Sequence, residues 1–192
     1  MQPWNLVFVS GFVVYLAIRG VYAGKTKANV KADRRVDLRE RLLLFLVFTS
    51  TLLVPLLYLL TPWLSFADTT KAPLLPWAGA LIMGFALWLF YRSHADLGEN
   101  WSMTLEIRVG HRLVTTGVYS RVRHPMYSAI LLFSLAQGLL LANWLAGWSA
   151  LGAVSVMFLL RMPREEQMMR DTFGEDYRRY MARTGRLLPR VG

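Results

Sequence analysis

The chain has 192 residues, a net charge of +10, 55% hydrophobic residues and only 18% charged ones. Soluble domains average roughly 45–50% apolar and about 25% charged, so this composition argues against a soluble globular enzyme and excludes intrinsic disorder, which needs low hydrophobicity. The absence of cysteine excludes disulfide scaffolds, iron–sulfur clusters, cysteine-zinc sites and thiol nucleophiles.

Residues 4–22 carry a single charge, Arg19, and reach about 28 Å as a helix, enough for a hydrocarbon core of about 30 Å. A signal peptide would want a basic leader, and no Lys or Arg precedes Arg19, so a retained transmembrane helix is expected. Residues 42–60 form a second uncharged span, which Pro55 should kink. Residues 77–91 form a third, opening after Pro76, with Gly79, Ala80 and Gly84 suited to close helix contact. Residues 128–160 carry no charge at all. One straight helix of that length would reach about 50 Å, so a break is expected at Asn143, giving a hairpin with arms of about fifteen residues and about 23 Å each.

The expected fold class is therefore an all-α integral membrane protein with five transmembrane helices, the last two a helical hairpin. Basic residues set the orientation. They crowd into 23–41, 92–127 and 161–192, whereas the loop 61–75 holds only Lys71. The three crowded segments and the C-terminus are expected to be cytoplasmic and the N-terminus outside. The positive charge then belongs to topology, and no nucleic-acid motif accompanies it.

Residues 1–91 thus read as three spans with a basic loop at 23–41, and 92–192 as the region that carries chemistry. The pieces 92–127 and 161–192 are long for connectors, and long structured loops are where sites are built. The stretch 105–118 reads as two short strands around Gly110, closed by Gly117. The tail reads as a helix from Pro163, interrupted at Gly174 and resumed through Arg183.

Two clusters flank the hairpin. The first runs His111-Arg112-Leu113-Val114, Tyr119 and Arg123-His124-Pro125-Met126-Tyr127; the second is Arg161-Met162-Pro163-Arg164-Glu165-Glu166. Each has a plain structural reading. Arg123 and His124 before Pro125 suit an interfacial helix N-terminus. Glu165 and Glu166 suit a helix macrodipole, and Arg161 is spaced to pair with Glu165 on one helix face. His94, just past the third span, reads as an interfacial residue. Three histidines without cysteine make a poor zinc site, and no metal is expected.

Taken together the motifs say more. Arg-His-Pro-x-Tyr opens the hairpin, Arg-x-Pro-x-Glu-Glu closes it, and Phe173-Gly174-x-x-Tyr177-x-x-Tyr180 follows. With Leu97-Gly98-x-Asn100-Trp101-Ser102 before them and Thr184-Gly185-Arg186-Leu187-x-Pro189 after, from about Asp96 to Pro189, this half of the chain resembles the isoprenylcysteine carboxyl methyltransferase family. The wider group includes the phospholipid methyltransferases. The resemblance implies an S-adenosylmethionine-dependent enzyme without a Rossmann domain, and indeed no G-x-G-x-x-G occurs. It implies a cytoplasmic cofactor pocket formed by 92–127 and the C-terminal segment. The cofactor positions it implies are His111, Arg112, Leu113, Val114, Tyr119, Arg123, His124, Pro125, Met126 and Glu165, with Arg161 facing the acceptor carboxylate.

The chemistry suits these types. Glu165 offers a charged acceptor to the cofactor's amino group; Leu113, Val114, Tyr119 and Met126 offer an apolar wall for adenine. A carboxylate acceptor, already ionised at pH 7, needs an orienting Arg161 and no base. An amine acceptor, as in phospholipid N-methylation, would want one, and His111 or His124 is the candidate. A lipid-tailed small molecule or a prenylated protein or peptide is the expected substrate, with the bilayer as partner. A sterol-type membrane reductase and a non-enzymatic membrane protein are the remaining readings; against a transporter, no ionisable residue sits at mid-span.

Overall fold

The computed structural model describes residues 2–26, 31–34, 37–101, 106–108 and 112–190. Among these the fold is helical apart from one short strand pair. Helix α1 (Pro3–Thr26) leads to strand β1 (Lys31–Arg34) and helix α2 (Leu38–Phe48). A π-helical turn (Thr49–Leu53) joins α2 to α3 (Val54–Leu60) in one continuous rod, and α4 (Leu75–Leu97), strand β2 (Glu106–Arg108), α5 (Pro125–Leu140) and α6 (Trp144–Arg183) follow. Among the described residues four helical stretches, Pro3–Gly24, Leu38–Leu60, Leu75–Leu97 and Trp144–Arg183, are long and apolar enough to cross a membrane; Pro125–Leu140 is apolar but shorter.

The irregularity at Pro55 has a local cause. Proline has no N–H to donate, so the helix widens into the π turn immediately before it. The Ser50 carbonyl in that turn then accepts from Gln137 Nε2 of α5 at 3.2 Å, which re-satisfies in apolar surroundings a group the ladder leaves spare. Gln137 Nε2 also donates to the Ala146 carbonyl at 2.7 Å, so one buried amide ties three elements together.

Asn143 breaks the hairpin as expected. Its side chain caps α6 by accepting from the Ala146 N–H at 2.9 Å, and its amide donates to Leu64 O at 2.6 Å and Asp68 Oδ1 at 2.9 Å. The arms pack closely at glycines: a Cβ on Gly147 would sit 3.2 Å from the Gly138 Cα, and one on Gly79 would meet Leu139 at 2.9 Å, whereas Gly84 faces open space. The core between α1, α4 and α5 is built from Phe8, Met83, Ala86, Phe133 and Ala136.

Three expectations need correction. The second arm is not a fifteen-residue helix with a new one starting at Pro163: α6 runs unbroken through Pro163 and departs from helical geometry only at Gly174, with φ 52°. Proline removes a single ladder bond, and the helix-forming residues on either side bridge the gap. The apolar part of α6 is thus 144–160, and from Arg161 the helix continues as a polar extension. The strand at 106–108 pairs antiparallel with β1, not with a neighbour across Gly110; residues 112–115 are irregular and lead into a 3-10 turn at Gly117–Ser120, and Gly110 lies outside the described residues. His94 is fully buried rather than interfacial, with Nδ1 2.9 Å from the Phe90 carbonyl and its ring 4.9 Å from that of Trp101.

Gly117 holds the approach to the site. Its φ is +59°, and an added Cβ would lie 2.1 Å from Asp96 Oδ2, the oxygen that accepts from the Val118 N–H at 2.9 Å. Gly117→Ala should therefore lose about 1–3 kcal/mol to backbone strain alone, with the clash in addition. Thermal unfolding in detergent checks this, and an unchanged midpoint would contradict it.

Candidate active site

The polar end of the bundle is closed by the C-terminal segment lying along the residues before α5. Arg123 N donates to Gly185 O at 2.8 Å, His124 N to Arg186 O at 3.0 Å, and Gly185 N to Arg121 O at 3.2 Å. Ser128 Oγ donates to Leu187 O at 2.5 Å. The Arg-His-Pro motif and the Thr-Gly-Arg-Leu motif thus meet as a backbone zipper, which explains why both appear in one pattern.

Glu166 is the hub of this closure. It is fully buried and accepts from Arg123 Nε at 3.1 Å, from Arg186 Nη2 at 2.8 Å and Nε at 3.2 Å, and faces His124 Nε2 at 3.4 Å. Burial alone would raise its carboxyl, but the hydrogen bonds from His124 and Arg186 and the charge of Arg123 outweigh that and hold it at about 2. Arg123 also reaches the end of α6, donating to Met181 O at 3.1 Å and to the Thr184 carbonyl. It is therefore a strut between segments, with Nε and Nη1 engaged by protein.

One helical position earlier, Glu165 points elsewhere, because successive residues on a helix are about 100° apart. Tyr127 Oη donates to Glu165 Oε2, and His124 Nδ1 lies 4.0 Å from Oε1. The His124 and Tyr127 rings stack at 5.2 Å with 6° between planes, and Tyr127 stacks in turn on Phe158 at 4.1 Å. Glu165 keeps 30% of its side chain open while Glu166 keeps 1%. Of the two, Glu165 is the carboxylate able to meet a ligand.

Arg161 is buried, at 7% exposure. Its Nη1 lies 3.0 Å from Oε1 of Glu40, on the first turn of α2. Its guanidinium carbon is 6.0 Å from the centre of the Tyr127 ring. One turn on, Arg164 Nη2 reaches Asp37 Oδ2 at 2.9 Å, and Asp37 caps α2 by accepting from the Glu40 N–H at 2.8 Å. That N–H, then Arg164, hold the Asp37 carboxyl below its ordinary range. Two ion pairs thus dock α2 on α6, and sequence reasoning named neither Glu40 nor Asp37.

The other expected positions lie on the segment between α4 and α5 and at the start of α5. Tyr119 is buried, its hydroxyl donating to Ser93 O at 3.3 Å and its carbonyl accepting from Tyr180 Oη at 2.7 Å. Burial, then the nearby Glu165 charge, pushes the Tyr119 hydroxyl far up, and burial takes Tyr180 to about 12, so both stay neutral donors. Met126 Sδ accepts from Trp101 Nε1 at 3.3 Å. Pro125 opens α5. Arg112 has an exposed side chain, with its backbone N–H held by Asn100 Oδ1 at 2.9 Å; Leu113 and Val114 follow, half-buried. His111 lies outside the described residues. Among the described residues, no group of three or more His, Asp or Glu is placed to hold a metal ion.

An apolar groove of about 310 Å³ runs between α1, the α2–π turn and α5, lined by Phe12, Leu16, Leu44, Phe48, Ile130 and Phe133 among others. Leu44 is one turn beyond Glu40, and Ile130 one turn beyond Tyr127. Among the described residues, the groove's one charged lining residue is Arg19, whose Nη1 donates to Tyr15 Oη at 3.3 Å, and the lining residues Leu16 and Phe48 are themselves exposed.

Such a bundle, with four helices long and apolar enough to cross a membrane and a charged cluster at one end, defines a helical integral membrane protein. A sequence model of the isoprenylcysteine carboxyl methyltransferase (ICMT) family matches residues 77–171, and over that stretch the chain is similar to the family. It is similar to protein-S-isoprenylcysteine O-methyltransferase B of Arabidopsis thaliana, 33% identical over 49% of this chain and 49% of the relative. The protein-S-isoprenylcysteine O-methyltransferase of Dictyostelium discoideum is 28% identical over 69% of this chain and 56% of its own length. The human protein of the same name is 29% identical over 68% of this chain and 49% of its own. The chain thus spans about half the length of the curated relatives it matches.

Proposed function

We propose that the protein is an S-adenosylmethionine-dependent methyltransferase that O-methylates the carboxylate of an isoprenylcysteine or a similar lipid-tailed acceptor. The observation that carries this reading is Arg161, a buried guanidinium holding the carboxylate of Glu40, one turn of α2 before Leu44, which lines an apolar groove between helices. A lipid tail in the groove would bring its own carboxylate to that cation, and the names of the relatives agree with such an acceptor.

The residues present fit the cofactor. Glu165 is open enough to accept from its amino group, and Leu113, Val114, Tyr119 and Met126 supply apolar and aromatic walls. When bound, S-adenosylmethionine supplies an electrophilic methyl group on a sulfonium, whose passage to a carboxylate leaves two neutral products and no proton to move. Arg161 orients one acceptor oxygen with its planar fork, and no general base is required because a carboxylate is already ionised at pH 7. The His124–Tyr127–Phe158 stack keeps water from the reacting pair, while Arg123 and Glu166 hold the pocket wall through the C-terminal segment rather than touching the cofactor. The reading includes α5 as a fifth, shorter span, with the N-terminus outside and the site and C-terminus cytoplasmic. In it, residues 92–192 form the catalytic region on the scaffold of residues 1–91.

Calorimetric titration of the detergent-solubilised protein with S-adenosylhomocysteine tests the cofactor assignment. Binding is expected, and Glu165→Gln should weaken it by about 1.5–3 kcal/mol, the range for hydrogen bonds to charged groups. No binding to folded wild type would overturn the reading; unchanged affinity in the variant would reduce Glu165 to a packing role.

A further inference from the structure

We infer that Glu40 is an internal stand-in for the acceptor's carboxylate: it occupies Arg161 in the resting protein, yields to an anionic acceptor, and returns when methylation has removed the acceptor's charge. This rests on the methyltransferase reading above and adds a specificity-determining residue to it.

Four observations converge. Glu40 is a carboxylate at 1% exposure, facing Arg161 Nη1 at 3.0 Å. Neither of its oxygens makes a hydrogen bond of proper geometry, so the pair is held by charge rather than by the aligned fork that makes arginine–carboxylate contacts strong. Such a pair is open to a better-oriented carboxylate. Second, Glu40 is not needed as the sole anchor of α2, because Asp37 and Arg164 form a separate pair at 2.9 Å on the same turn. Glu40 is free to release Arg161 while α2 stays docked. Third, the Tyr127 ring flanks Arg161 and the charge of Glu165 also acts on it, so Arg161 keeps negative charge nearby when Glu40 withdraws. Fourth, Leu44 on the same helix face lines the groove one turn away, so an acceptor tail filling the groove reports directly on α2.

The charge arithmetic gives the device its use. An incoming carboxylate replaces one negative charge at Arg161 with another, so exchange leaves the buried cation compensated throughout. The product is a neutral ester and holds Arg161 only weakly. Glu40 then recaptures the cation and expels it. An acceptor lacking the carboxylate has nothing to displace Glu40 with, which discriminates against uncharged lipids in the groove by an unpaired-charge penalty.

The test uses the full chain in detergent with S-adenosylmethionine and a farnesylcysteine acceptor. With Glu40→Gln the KM for the acceptor should fall by about tenfold, as for a site whose open state is about one-tenth populated in wild type. Inhibition by the farnesylcysteine methyl ester should strengthen by a similar factor, with the affinity for S-adenosylhomocysteine unchanged. Glu40→Asp, which keeps the charge, should leave KM for the acceptor closer to wild type. An unchanged or raised KM in folded Glu40→Gln would overturn the inference. Ligand comparison on wild type gives a second measure that needs no variant: farnesylcysteine should bind at least about tenfold more tightly than its methyl ester, and equal binding of the two would overturn the inference. Absence of methyl transfer by folded wild type would instead remove the methyltransferase reading itself, and this inference with it.

Discussion

Glu166→Ala should destabilise the folded protein by about 3 kcal/mol, the lower end of the range for stripping one partner from a buried ion pair. The variant leaves Arg123, at 8% side-chain exposure, without its carboxylate, whereas Arg186, at 55%, turns back into water. The same carboxylate sets an acid limit. Its pKa is depressed from an unfolded value near 4.3 to about 2, so it binds protons less readily when folded. Its contribution is therefore complete above the unfolded value and is lost as pH falls through about 2. Thermal unfolding of the solubilised protein should show a midpoint insensitive to Glu166 identity only at the acid extreme. Between pH 5 and 8 the wild type should melt well above the variant, and equal midpoints there would show that the C-terminal segment is docked by something other than this cluster.

Arg161→Lys should leave cofactor affinity nearly intact and lower kcat/KM by about 10²-fold or more, as for misplacement of a reacting atom by about 1 Å. Lysine keeps the charge, and so keeps Glu40 compensated, but a point ammonium does not reproduce the fork that fixes one carboxylate oxygen. If Arg161 served only to dock α2, the same change would be mild in turnover and would show mainly as a lower melting point. Turnover and melting measured side by side on the one variant separate these roles.

Much of the scaffold is legible in the residues. Uncharged runs mark the spans, Pro55 marks the irregular turn, and Asn143 between apolar arms marks the hairpin tip, because each is a local signal. What is not legible is pairing between distant segments. Pro163 looked like a helix start, but only the packing of α6 on α2 and α5 decides that the helix continues through it. The strand at 106–108 takes its partner from 31–34, and hydrophobic periodicity within 105–118 carries no trace of that choice.

The site divides along the same line. The motifs point to Glu165, His124 and Arg161, yet adjacent glutamates on a helix face directions about 100° apart, and the sequence alone does not say which is walled in. Glu166, read as a helix-end charge, is the buried hub; Arg123, read as a cofactor contact, is bound to it and to the end of α6. Glu40 did leave a signal: it is a carboxylate set directly between Arg39 and Arg41 at the foot of an apolar span. An acid placed there, in a loop otherwise crowded with bases, asks for a buried cation, and Arg161 is that cation.

Carboxyl methyl transfer to a lipid-tailed acceptor leaves a product whose chemistry distinguishes it from every alternative. Purified protein is given methyl-labelled S-adenosylmethionine with farnesylcysteine and phosphatidylethanolamine side by side, and each lipid is recovered and treated with base. Label is expected on farnesylcysteine that base releases as volatile methanol, formed at a rate flat from about pH 6 to 8 because no histidine-like group titrates in the reaction. Base-stable label on the phosphatidylethanolamine amine, or no label on either lipid with folded protein, would contradict it.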